Sequence, residues 1–304
     1  ASSGSAWVMF STLIDDVGTS TGNVKGLATA TNYNIRYDGA AAADALAGDG
    51  ALLAGDVNGD GLGDLVIGAA LADFNARNGS GSVYVMFSTL VDDVGATTGN
   101  IKSLATTTNF NVRFDGAAAG DGISNDGAIV IGDVSSDGKT DLIFGTANSD
   151  NGGTSTGSTW VIFSTRMDNV GTTTGNLKDL ASASNYSIRY DGAVAADSLT
   201  SNSALATGDI NADGISDLVM GSIFAGNGGS NSGSAYVAFG RTAVTITGTV
   251  YSDEGVTPLA NKTVALSLNG DAAANSGVTN GSGVFTIEAE RVWNTDVLNF
   301  YLDG

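Results

Sequence analysis

Three nine-residue stretches of this chain carry an oxygen-bearing side chain at every position where a small cage would need one. Asp56, Asn58, Asp60 and Asp64 hold positions one, three, five and nine of the first; Asp133, Ser135, Asp137 and Asp141 those of the second; Asp209, Asn211, Asp213 and Asp217 those of the third. Oxygens at that spacing line one concave side of a tight loop, which suits a hard divalent cation such as calcium. Position six is glycine each time, at Gly61, Gly138 and Gly214, and permits the bend that gathers them. Without a cation the carboxylates of one loop would repel one another.

The loops need strands to hold them, and the spacing says how. Their first aspartates stand at 56, 133 and 209, so the steps are 77 and 76 residues. An aromatic run keeps the same step: Trp7-Val8-Met9-Phe10, Tyr84-Val85-Met86-Phe87, Trp160-Val161-Ile162-Phe163 and Tyr236-Val237-Ala238-Phe239. A unit copied at a fixed period is one whose apolar face is covered by its neighbours.

Each repeat predicts four strands. A short apolar run such as Ala51-Leu52-Leu53-Ala54 enters the loop and Leu65-Val66-Ile67 leaves it, both read as strands covered on two faces. The aromatic run is the third, with Trp7, Tyr84 and Trp160 expected in the core. The fourth alternates, Tyr33, Ile35 and Tyr37 against Asn34, Arg36 and Asp38, and predicts a strand near the outside with one wet face. Four such strands describe a propeller blade. Between the third and fourth strands lies a longer connection, residues 92–104 in the second copy. Its acid pairs, Asp15 with Asp16 and Asp92 with Asp93, become Asp168 with Asn169, and are read as solvated turn residues rather than a general acid and base.

Composition narrows the function. With 44 glycines, one proline and 42% hydrophobic residues in 304, the chain is an ordered all-β protein rather than a helical or disordered one. A net charge of −20 with only 12 Lys and Arg argues against nucleic acid and anionic membrane surfaces as partners. Lacking cysteine and histidine, the chain has neither thiolate chemistry nor the commonest general base, and an enzymatic role is not expected. No apolar run approaches the roughly 20 residues of a membrane span. The absence of a basic and apolar start at Ala1 is read as a leader removed or an excised piece.

After Phe239 the pattern changes. Residues 1–240 form the repeat region, and 241–304 a second module holding all three glutamates and Pro258. Alternation at 244–251, 263–268 and 283–287 predicts the strands of a small β-sandwich, short enough to be incomplete.

The acidic loop, the exit strand ending Gly68-Ala69-Ala70 and the Gly81-Ser82-Val83-Tyr84-Val85 strand together resemble the FG-GAP repeat of integrin alpha-subunit β-propellers and bacterial surface proteins. The resemblance covers residues 1–240 and implies that the loops bind about three calcium ions, with the carbonyls of Leu62, Lys139 and Ile215 as further ligands. Ser135 is a neutral, shorter ligand and Lys139 brings a positive charge, so the second site is expected to be weakest. The family's Phe-Gly pair is replaced by Gly48-Asp49-Gly50. An EF-hand is excluded because position twelve is Ile67, Phe144 and Met220 where an oxygen ligand is required. The tail resembles carboxypeptidase-regulatory-like or Ig-like modules.

The expected function is that of a calcium-binding extracellular or cell-surface structural or adhesive protein, part of a filamentous or surface assembly. The alternative is a propeller module that binds a glycan or protein ligand. Three acidic loops are fewer than the blades of a closed propeller. The chain opens on third and fourth strands and ends its last repeat without a fourth. The chain is therefore expected to be a fragment of a longer propeller, or to be joined by other copies or flanking repeats through strand addition, ahead of closing on itself in a small ring.

Overall fold

The protein, seen as a computed structural model, is described over residues 3–15, 22, 24–92, 97–168, 173–240, 244–253, 255–268, 275–289 and 297–303. Two units result: a larger one to Phe239 and a smaller one from Gly240, with the loop tip Ser135–Asp137 grouped with the smaller.

Short apolar and β-branched runs, punctuated by glycine turns, give the larger unit fifteen strands among the described residues. In chain order they are β1 (Ser5–Val8), β2 (Ile35–Asp38), β3 (Leu52–Gly55), β4 (Asp64–Ala69), β5 (Ser82–Met86), β6 (Asn100–Ser103), β7 (Val112–Asp115) and β8 (Ile129–Gly132). There follow β9 (Asp141–Thr146), β10 (Ser158–Ile162), β11 (Asn176–Asp179), β12 (Ile188–Asp191), β13 (Leu205–Gly208), β14 (Asp217–Ser222) and β15 (Ser234–Ala238). They make four sheets, ordered β1-β2-β6, β3-β4-β5-β7-β11, β8-β9-β10-β12 and β13-β14-β15. The fold is all-β and built of propeller-type blades, with neighbouring strands of one repeat antiparallel throughout.

The connection between third and fourth strands is more than turns. Its end forms β6 and β11, and each pairs in parallel with the fourth strand of the preceding repeat, Ile35 opposite Asn100 and Val112 opposite Asn176. The hydrogen bonds continue beyond the strands, Gly99 N to Tyr33 O at 2.9 Å and Gly175 N to Phe110 O at 2.9 Å. The acid pairs fall elsewhere: Asp15, Asp92 and Asp168 end the short helices α1 (Ser11–Asp15), α2 (Ser88–Asp92) and α3 (Ser164–Asp168), while Asp16, Asp93 and Asn169 lie outside the described residues.

Three expectations are corrected by this arrangement. The fourth strand is not outermost in the central blade: β7 is buried along its length, Arg113 and Asp115 included, because β11 lies outside it. The entering strand is not covered on both faces in the second repeat: every other residue of β3 faces solvent, and Leu52 is 49% exposed. Trp160 and Tyr84 are fully buried as expected, but Trp7 is 37% exposed, because among the described residues no blade packs against that face of its own.

The apolar cores lie between blades. Ala6, Tyr37 and Ile35 pack with Tyr84 and Met86; Val83, Val85 and Phe114 pack with Trp160, Ile162 and Phe144; Val161 packs with Leu218 and Met220. Each fully buried large side chain stabilises the fold by about 1.5–3 kcal/mol relative to exposure. The stacking is close enough to demand glycine: a Cβ on Gly68 or Gly145 would collide with Ser124 or Thr200 of the following repeat.

The smaller unit holds β16 (Val244–Thr249), β17 (Thr263–Leu268), β18 (Asn275–Val278), β19 (Val284–Ala289) and β20 (Leu298–Asp303). These form a β16-β19 pair and a β18-β17-β20 sheet around Val264, Leu266, Phe285 and Ile287.

Candidate metal loops

Each loop joins the first strand of its sheet to the second, β3 to β4, β8 to β9 and β13 to β14. In the first, Asp56 turns back on the chain, its Oδ1 accepting from Gly59 N at 2.7 Å and its Oδ2 from Gly61 N at 2.8 Å. Asn58 Oδ1 accepts from Asp60 N at 2.9 Å, and Asp60 Oδ1 from Leu62 N at 2.8 Å. The third loop repeats this wiring: Asp209 Oδ2 accepts from Gly214 N at 2.9 Å, Asn211 Oδ1 from Asp213 N at 2.9 Å and Asp213 Oδ1 from Ile215 N at 2.9 Å. In the second, Gly138 N donates to Asp133 Oδ2 at 3.0 Å; Ser135 and Asp137 fall in the grouping of the other unit.

The bend is made at two residues rather than one. Position six is left-handed as expected, with φ +85° at Gly61, +83° at Gly138 and +87° at Gly214. Position four is left-handed too, at Gly59, Ser136 and Ala212, the last with φ +62°. A side chain there costs about 1 kcal/mol, which Gly59 avoids. Gly59 also makes room for the stem of Lys139, whose Cδ would lie 2.6 Å from an added Cβ.

Position nine ties each loop to its blade. Asp64 is 1% exposed, and its two oxygens accept from Val57 N at 2.9 Å and Ser88 N at 2.8 Å. Asp141 accepts likewise from Val134 N at 3.0 Å and Ser164 N at 2.9 Å, and Asp217 from Ile210 N at 2.8 Å. Burial pushes the Asp64 carboxyl up to about 6, opposed by the hydrogen bonds from Ser88 and Val57 and reinforced by the charges of Asp60 and Asp56. The serines were missed from the sequence, although Phe87-Ser88-Thr89 and Phe163-Ser164-Thr165 recur at the repeat step.

Among the described residues no group of three or more His, Cys, Asp or Glu forms a metal-holding cluster. The donor sets of loops one and three nonetheless fit a hard cation. They mix carboxylate, amide and main-chain oxygen, and their ninth-position carboxylate is buried without a cationic side chain hydrogen-bonded to it in loop one.

Two segments of the chain match the FG-GAP repeat. They are residues 50–86 and 201–238, each running from the turn before the first strand, through the acidic loop, to the aromatic strand. The FG-GAP repeat is a structural and binding module. A comparison with curated proteins returns no match for the chain. Between the two FG-GAP matches, residues 127–162 repeat the strand order of both, β8-β9-β10, around the loop whose oxygen-bearing residues depart most from the pattern. No helix among the described residues is long and apolar enough to cross a membrane.

Proposed function

We propose that the protein is a calcium-binding extracellular structural or adhesive protein whose FG-GAP loops each take one calcium ion, about three in all. The observation that carries this reading is the ninth-position aspartate. Buried, and bonded both to the loop and to the backbone of the residue after the aromatic strand, Asp64 is a group through which an ion in the loop would be felt by two strands of the blade. Asp56, Asn58, Asp60 and the Leu62 carbonyl would complete the first site. Asp209, Asn211, Asp213, the Ile215 carbonyl and Asp217 would complete the third. The second, from Asp133, Ser135, Asp137, the Lys139 carbonyl and Asp141, is the weakest.

A bound calcium supplies positive charge that offsets carboxylate repulsion in a chain of net charge −20. Millimolar calcium outside cells saturates sites of modest affinity, which supports an extracellular or surface setting. The 241–304 unit is proposed to be an Ig-like or carboxypeptidase-regulatory-like spacer. Strand addition from other copies or flanking repeats is proposed at β15, which carries no fourth-strand partner among the described residues.

Calorimetric titration of chelator-treated protein with calcium tests this reading. Three binding events are expected, two of them in Asp64→Asn, with the second loop filling last. Absence of heat and of any thermal stabilisation at millimolar calcium would end it.

A further inference from the structure

Lys139, at position seven of the second loop, is the one basic residue in the three nine-residue stretches; Leu62 and Ile215 stand there in the others. Its side chain does not stay with its own loop. The stem of this half-buried lysine crosses to the first loop and lies on Gly59, with Cγ, Cδ and Cε at 2.8, 2.6 and 3.1 Å from the point a Cβ there would occupy. At Gly61, Gly63, Gly138 and Gly214 nothing lies within 4 Å of that point, so the seat is made at one loop glycine only.

Two departures from the repeat thus meet each other. Position four is glycine in the first loop alone, with Ser136 and Ala212 in the others, and position seven is lysine in the second alone. The seat also places a charge. Asp56 Oδ1 accepts from the amide of that same Gly59 at 2.7 Å, and Asp60 follows it in the chain. With Cε against Gly59 and the ammonium one bond beyond, the charge lies at most about 10 Å from the Asp56 carboxylate, a Debye length at 0.1 M salt.

We propose that Lys139 is a counter-ion lent by the second repeat to the first loop, where its ammonium offsets the Asp56 and Asp60 charges in metal-free protein and opposes the entry of calcium. One residue then serves two loops. Its carbonyl belongs to the second cage and its ammonium to the first, whose affinity it lowers without joining the ligands. The proposal rests on the calcium reading above and names what regulates the first of those sites.

Calcium titration calorimetry on the full chain tests it, with Asp137→Ala silencing the second loop throughout. Added to that background, Asp213→Ala leaves the first site to titrate, and Asp60→Ala leaves the third, which has the same ligand types. Lys139→Met keeps the stem and removes the charge, while Lys139→Arg keeps both. At low salt Lys139→Met is expected to tighten the first site by about threefold to tenfold, the effect of removing one like charge at this range. The third site should change less than about twofold, Lys139→Arg should match the wild type, and the gain should vanish near 1 M salt, where the Debye length is about 3 Å. Should the methionine variant fail to fold, Lys139→Gln serves the same comparison. A first site indifferent to loss of the charge, or a third site tightened equally, would overturn the proposal and leave calcium binding intact. If no loop takes calcium, the reading above fails, and melting in chelator at low salt decides the counter-ion role. There Lys139→Met should lower the midpoint by more when Asp60 is present than in Asp60→Ala, a coupling between the two residues; equal lowering, or none, would overturn it.

Discussion

Strands β7 and β12 occupy the same place in successive repeats and carry the same Arg-x-Asp pattern, yet one is interior and the other is not. In β7, Arg113 and Asp115 form an ion pair at 2.7 Å with side chains 9% and 1% exposed; in β12, Arg189 and Asp191 pair at 2.8 Å with 28% and 26% exposed. The difference comes from the neighbours. Outside β7 lies β11; beside it Phe74 stacks on the Arg113 guanidinium at 3.4 Å, and Asp115 also accepts from Ser82 Oγ at 2.8 Å. No strand pairs outside β12 among the described residues. Burial of a polar pair is thus decided by what the next repeat contributes, and not by the pair's own sequence.

The sharpest way to break that comparison is to remove one arginine at a time. Arg113→Met leaves Asp115 buried without its partner and should cost about 3–5 kcal/mol, whereas Arg189→Met should cost about 1 kcal/mol or less. Denaturant midpoints at constant slope measure both, and equal losses would mean that β11 does not shield the pair. A smaller effect is expected from calcium. At a hundredfold excess over its dissociation constant one site adds about 2.7 kcal/mol, a gain that Asp64→Asn should reduce by one site's share.

Burial and arginine move carboxylates in opposite directions. Burial raises Asp44, Asp121 and Asp64, the last to about 6, while hydrogen bonds from Arg36 and Arg77 lower Asp38 and Asp179 below the usual carboxylate range. A raised group binds its proton more tightly when folded, so metal-free protein should gain stability as pH falls through about 6. A lowered group stabilises above its unfolded value and loses that contribution as pH falls through its folded one. The metal-free midpoint should therefore pass through a maximum in mild acid and then fall; a midpoint that only declines from neutrality would contradict the burial of Asp64. The smallest effect is at Ala212, where Ala212→Gly should relieve a left-handed alanine and raise stability by up to about 1 kcal/mol, with no gain from the same change at Ala206 within β13.

Much of this was legible beforehand. The loop residues, their period and the aromatic strands are patterns of spacing, and spacing is what a sequence displays. The all-β class, the blades and the FG-GAP likeness followed from it. What stayed hidden was set by other repeats. Asn100-Ile101-Lys102-Ser103 has the same local preferences whether it turns in solvent or pairs with β2, and only Asn34, whose Oδ1 accepts from Phe10 N at 2.8 Å and whose Nδ2 donates to Thr97 O at 3.0 Å, hints at a partner. The burial of Arg113 depended on β11 in the same way. Trp7 was misjudged because an aromatic in a strand pattern is covered only if a neighbour exists to cover it. The left-handed fourth loop position was obscured by Ser136 and Ala212, residues that ordinarily avoid that conformation.

Because β6 and β11 sit on the blade before their own, the unit of sequence and the unit of architecture are out of phase. A gene cut at the acidic loops would yield pieces that each lend a strand they no longer own and miss one they need. Unfolding should share that interlock: pulled from either end, a blade cannot melt without baring the flank of the next, so force or heat should take the array in one cooperative step rather than blade by blade.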